Sequence, residues 1–176
     1  MHEPGEALPG VGGGLPYLEE RPDPQVVNQE LPYSCQAACC RQLLLDAGVQ
    51  VSEQLLREKI GYLEGLGTTA ADTANALSEL HPSLVFAGGA VDPEALTALA
   101  ERVPWIATLR TRRGTNHAVI VDKLERETVH LRDPWGVSGP GSGTGTRAMM
   151  RRSDFLEHWK WAIHNVVIPV GPKEER

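Results

Sequence analysis

The chain has 176 residues, enough for one domain with a real core and short for two. Hydrophobic residues make up 41% of it, which excludes a largely disordered chain, and a formal net charge of −6 argues against a general nucleic-acid or membrane-surface binder. No apolar run reaches the length of a membrane span, and Met1-His2-Glu3-Pro4 opens without the basic region and apolar stretch of a secretory signal. The three cysteines, Cys35, Cys39 and Cys40, are an odd count on one segment and make a poor disulfide framework. A reducing compartment is expected, hence the cytoplasm, with delivery as an effector also compatible.

Residues 1–27 read as a flexible arm, because Gly and Pro are dense there and apolar periodicity is absent. Residues 28–171 read as the domain and 172–176 as a tail. A helix should start near Cys35, with Ser34 as N-cap and Gly48 as the stop. Ala37, Cys40, Leu44 and Ala47 form its apolar stripe, and Ala38, Cys39, Leu43 and Leu45 widen it. A helix apolar this far round should be central and buried. Further helices are expected from Ser52 to about Ile60, Thr69 to Leu80, Pro93 to Arg102 and Ser153 to Ala162. Strands are expected at Trp105 to Thr111, Asn116 to Leu124, Thr128 to Asp133 and Asn165 to Val170. Pro134 to Thr146 reads as a Gly-rich loop. Arg110, Arg112 and Arg113, then Arg147, Arg151 and Arg152, read as solvated loop ends. Helices first and an antiparallel sheet afterwards give an α+β fold.

The chemistry gathers at three residues. Thiolate, not thiol, is the nucleophile, and a helix N-terminus favours it through unpaired N–H groups and the positive dipole end. Cys35 has that placement, whereas Cys39 and Cys40 lie inside the helix. His117 opens a strand and Asp133 closes another. With a three-residue hairpin loop, Glu125 to Glu127, Leu124 faces Thr128 and Val119 faces Asp133. Val119, Val121, Val129 and Leu131 then share one face with His117 and Asp133, which become diagonal neighbours. A loop one residue shorter would separate His117 from Asp133 unless a bulge intervened. Asp133 can accept from one ring nitrogen and leave the other for a thiol, the logic of nucleophile, base and orienter. The Cys35 backbone N–H is one oxyanion donor.

Gln29-Glu30-Leu31-Pro32-Tyr33-Ser34-Cys35-Gln36-Ala37-Ala38-Cys39 resembles the nucleophile segment of the bacterial double-glycine leader peptidases, papain-like enzymes best known as peptidase domains of bacteriocin exporters. Asn116 to Val121 and Val129 to Gly136 resemble their histidine and aspartate strands, and Phe155-Leu156-Glu157-His158-Trp159 resembles their closing segment. The resemblance runs from about residue 27 to 170. It implies a papain-like fold in which Cys35 is nucleophile, His117 general base, Asp133 orienter and Gln29 the second oxyanion donor. It implies a peptide or protein substrate and no cofactor. Gln36 stands where that family typically has Gly, Ser34 where an acidic residue is frequent, and no exporter membrane or nucleotide-binding domain follows. Papain-like toxins and effectors that cleave, deamidate or transfer share the same triad. A non-catalytic peptide-binding module would be expected to lack Cys, His or Asp, and all three are present.

A zinc site from Cys35, Cys39 and a His is thin in ligands, and Gly136 to Gly145 lacks the Gly-Lys-Ser/Thr ending of a phosphate loop. Gly12-Gly13-Gly14 suggests that the arm itself could enter the cleft, as inhibitor or as a site of self-trimming.

Overall fold

A computed structural model describes residues 13–65, 67–97 and 103–174. In chain order its elements are β1 (Glu19–Asp23), α1 (Cys35–Asp46), α2 (Glu53–Ile60), α3 (Ala70–Leu80), β2 (Leu84–Ala90), α4 (Pro93–Thr97), β3 (Trp105–Arg110), β4 (Asn116–Leu124), β5 (Thr128–Asp133), β6 (Gly145–Arg151), α5 (Arg152–Trp161) and β7 (Asn165–Pro172). The seven strands form one antiparallel sheet in the order β1-β6-β5-β4-β3-β7-β2.

Both faces of the sheet are covered. On one face α1, α2 and α3 bury Cys39, Leu44, Leu56 and Leu77 against Ile106, Ala118, Ile120 and Val167. On the other, Phe155 and Trp159 of α5 pack on Trp105, Val119, Val121, Val129, Leu131 and Met150. The central strands therefore carry apolar residues at successive positions, as doubly covered strands do. Helix α1 is the buried central helix its composition predicts, with Ala37, Ala38, Cys40 and Leu44 all inaccessible to solvent. Ser52 and Thr69 cap α2 and α3 by accepting from the backbone N–H of Leu55 and Asp72.

The sheet has three strands that local pattern does not announce. The expected arm 1–27 contains β1, which pairs with β6 from Glu19↔Met149 to Asp23↔Gly145. Its polar sequence and Pro22 fit an edge strand, which shows neither alternation nor a run of β-formers. Strand β2 is interrupted by Gly88-Gly89, a turn signal in isolation. The glycine is required by packing: a Cβ on Gly88 would lie 2.1 Å from the Ala70 carbonyl oxygen of α3. Strand β6 follows directly on the Gly-rich loop. Helix α4 is described over Pro93–Thr97, and the rest of its expected span lies outside the described residues.

The β4–β5 hairpin has the expected limits and a mixed register. Near the turn Leu124 faces Val129, one residue from the expected Thr128. Asp122 is then taken up in a bulge, and Val121↔Leu131 and Ile120↔Arg132 restore the expected pairing towards the far end. The Asp122 carboxylate has a partner that rewards this placement: it accepts from Arg132 Nε and Nη2, each at 2.8 Å.

Candidate active site

Cys35 is the first residue of α1, His117 the second of β4 and Asp133 the last of β5. His117 Nε2 lies 2.6 Å from Asp133 Oδ1, with both side chains buried. Nδ1 has no other hydrogen-bond partner among the described residues and is the ring atom left for the Cys35 thiol. Burial works against a charged imidazole, but the charge and hydrogen bond of Asp133, with a contribution from Cys35, more than offset it and raise the His117 pKa to about 10. Burial likewise pushes Asp133 up, and His117 together with hydrogen bonds from Tyr17 and the Trp135 N–H brings it below its ordinary value. Cys39 and Cys40 sit deeper in the helix. Burial raises both thiols, Cys40 to about 12, so they stay protonated at neutral pH.

The approach to Cys35 is held by buried polar contacts. Ser34 caps α1 without a side-chain bond to the helix. Its Oγ instead accepts from the Leu31 N–H at 3.0 Å and lies 3.1 Å from Glu53 Oε1. Glu53 is fully buried and also accepts from the Glu30 N–H and from Arg57 Nε, each at 3.0 Å. A glutamate in the first turn of a helix reads from sequence as an exposed dipole partner, so this role carries no local signal. Asn28 ties the same segment to the Gly-rich loop: Nδ2 donates to the carbonyls of Pro134, Trp135 and Gly139, and Oδ1 accepts from the Gly143 N–H.

Gln29 is fully buried behind this segment and does not line the cleft. Its Nε2 donates to Leu31 O at 2.8 Å and to Pro32 O at 3.3 Å, and its Oε1 has no partner among the described residues.

The cleft itself is lined by Cys35 and His117, by Tyr33, Gln36, Thr68 and Thr108, and by small residues that include Gly65, Gly67, Ala70, Ala71 and Ala118. No Asp, Glu, Lys or Arg is among its described lining residues. Gly13 and Gly14 lie elsewhere, in a depression they share with Tyr17, Arg112, Asp133 and Trp135. Among the described residues no cluster of His, Cys, Asp or Glu is arranged to hold a metal ion, and no helix is long and apolar enough to cross a membrane.

A helix start carrying a thiol, packed against an antiparallel sheet that carries a paired histidine and aspartate, defines a papain-like cysteine peptidase. A family model agrees over most of the length: residues 23–173 match the peptidase C39 family, and the chain belongs to it. The peptidase domain of Streptococcus ComA, a bifunctional ABC transporter involved in quorum sensing, is similar in structure at a TM-score of 0.63 and 18% identity, over 84% of this chain and 97% of that one. A double-glycine-motif protease from an AMS/PCAT transporter, solved with a leader peptide, matches at 0.63 and 17% over 87% of this chain and 93% of that one. A Bacillus anthracis protein described as a C39-like peptidase matches at 0.61 and 16% over 90% of this chain and all of that one. A search of curated protein sequences finds no significant match.

Proposed function

We propose that this peptidase cleaves after small residues in a leader-type peptide, with Cys35 as nucleophile, His117 as general base and acid, and Asp133 as orienter. The observation that carries the reading is the His117 ring, bonded through Nε2 to Asp133 and left with Nδ1 for Cys35, in a cleft walled by Gly and Ala. His117 Nδ1 takes the Cys35 thiol proton and becomes imidazolium. Sγ adds as thiolate to the scissile carbonyl as its C=O π pair moves to oxygen, and the charge on that oxygen is met by the Cys35 N–H, which has no acceptor within the helix. The family likeness makes Gln29 the second donor, a role that requires its Nε2 to leave the Pro32 carbonyl, the longer of its two bonds at 3.3 Å, and turn towards the cleft. Imidazolium gives its proton to the leaving amine as the C–N bond breaks, leaving a thioester. His117 then takes a proton from water, hydroxide adds to the thioester carbon, and the thiolate departs.

The uncharged walls, rich in Gly and Ala, favour a substrate with small neutral residues at the scissile bond, and the neighbour solved with a leader peptide supports that class. A reducing compartment would keep Cys35 free. The decisive experiment compares peptides ending their leader in Gly-Gly, Gly-Ala and Gly-Val, with wild type and Cys35→Ala. Cleavage of the first two by wild type alone is expected. Hydrolysis by Cys35→Ala, or equal turnover of the valine peptide, overturns the reading. Self-trimming after Gly13 or Gly14 would act between molecules, because those residues occupy the Asp133-side depression. It would appear as a falling intact mass in wild type and a constant one in Cys35→Ala.

A further inference from the structure

We propose that Tyr17 is a positioning residue of the triad, so that the N-terminal segment is part of the active site. The inference rests on the triad reading above. Tyr17 Oη donates to Asp133 Oδ2 at 2.5 Å, across 116 residues of sequence. The other carboxylate oxygen, Oδ1, takes both His117 Nε2 and the Trp135 N–H, the latter at 2.9 Å. Tyr17 is thus the donor that satisfies Oδ2 of a carboxylate that is 4% exposed. Removing it leaves one buried oxygen unpaired and the carboxylate free to rotate about the bond that orients His117.

The segment is built to hold the phenol there. The Leu18 N–H donates to Met149 O at 2.7 Å, and β1 pairs along β6 to Asp23, whose carboxylate accepts from Arg147 Nε at 2.6 Å. Leu15 and Tyr17 pack against the core cluster under α5. The depression lined by Gly13 to Tyr17 shares no lining residue with the Cys35 cleft, so the segment supports Asp133 from behind and leaves the substrate side open. Burial, followed by the Asp133 charge, holds the Tyr17 pKa well above its ordinary value, so the phenol remains a donor across the working pH range.

Tyr17→Phe keeps the ring and removes the donor. With the Gly-Gly leader peptide we expect kcat to fall about tenfold with KM little changed, the loss of one hydrogen bond to a charged group. Because the Tyr17 bond helps hold Asp133 below its ordinary value, the acid limb of the kcat/KM profile should move to higher pH. An unchanged kcat and acid limb in Tyr17→Phe overturns the proposal. So does a fall in kcat that comes with a lowered Tm and an unmoved acid limb, which would be ordinary packing loss. Failure of the triad reading is separate: it shows as activity in Cys35→Ala, whatever Tyr17→Phe does.

Discussion

Arg132 Nη1 and Nη2 donate to the two carboxylate oxygens of Asp46 at 3.0 and 2.8 Å, which joins the residue before Asp133 to the last residue of the helix that Cys35 begins. The same guanidinium holds Asp122 through Nε and Nη2. One planar fork therefore links α1, the bulge of β4 and the end of β5. Arg132 is buried, but the Asp46 and Asp122 side chains are 37% and 25% exposed, so its removal should cost less than a fully buried pair. Arg132→Ala should lower the unfolding free energy by about 2 kcal/mol, and Arg132→Lys should recover only part, since lysine cannot bridge both carboxylates in the same plane. Urea denaturation measures both. A loss indistinguishable from zero would show that the fork is dispensable.

The pH dependence follows from the buried pair. His117 is raised from its ordinary 6.5 to about 10. Its contribution to stability is complete below pH 6.5 and lost as pH rises through about 10. Asp133 is lowered from its ordinary 3.8, so its contribution is present above that value and lost as pH falls. Activity should show an alkaline limb near pH 10. Asp133→Asn should move that limb downwards, because the charge that most favours the imidazolium is gone. The rate should fall by no more than in His117→Ala, since an orienter can be partly replaced and a base cannot. An alkaline limb that stays in place in Asp133→Asn would remove Asp133 from the pair.

The thiols provide an independent check. Cys39 and Cys40 are buried with raised pKa values, and no described cysteine is paired in a disulfide. Iodoacetamide at pH 7 should label Cys35 alone, and His117→Ala should slow that labelling. Peptide mapping that finds Cys39 modified first would contradict the assignment of the nucleophile.

What the sequence could show was whatever lies close along the chain. The start of α1 at Cys35, the limits of β4 and β5, and the shared face of Val119, Val121, Val129 and Leu131 follow from local periodicity, and all are present. The bulge at Asp122 is invisible to a periodic pattern, because it is set by Arg132 and Asp46, far apart in the chain. Strand β1 and the Tyr17 contact with Asp133 were hidden for the same reason: a polar, proline-bearing edge strand looks like a tail until its partner is known. Placing Gln29 was a matter of family likeness, and the local contacts of its amide could not be read from spacing.

Gly88 gives a prediction about the wall of the cleft. A Cβ there would meet the Ala70 carbonyl oxygen at 2.1 Å and its carbon at 2.4 Å, both backbone atoms that cannot rotate aside. Ala70 and Ala71 line the cleft, so α3 would be pushed at its cleft end. Gly88→Ala should destabilise by about 1–3 kcal/mol and raise KM. Gly171→Ala, where an added Cβ meets nothing within 4 Å, should do neither. Equal behaviour of the two variants in thermal melts and kinetics would refute the contact.

The last prediction concerns the polar groups of the cleft. Gln36, immediately after Cys35, and Thr108 are 7% and 6% exposed and line the cleft, yet Gln36 Oε1 and Thr108 Oγ1 have no hydrogen-bond partner among the described residues. Thr68 Oγ1, on the same cleft, is in the same condition. An unsatisfied buried polar atom costs about 1–3 kcal/mol, which a bound peptide with its own N–H and carbonyl groups would recover. Thr108→Val removes the hydroxyl at nearly constant shape. Without substrate it should raise Tm slightly, because an unpaired group has gone from the interior. With the Gly-Gly leader peptide it should raise KM, about tenfold for one lost hydrogen bond, and leave kcat near wild type. Gln36→Ala should shift KM in the same direction. A Thr108→Val enzyme that is more stable and binds the peptide as well as wild type would show that the hydroxyl serves no substrate.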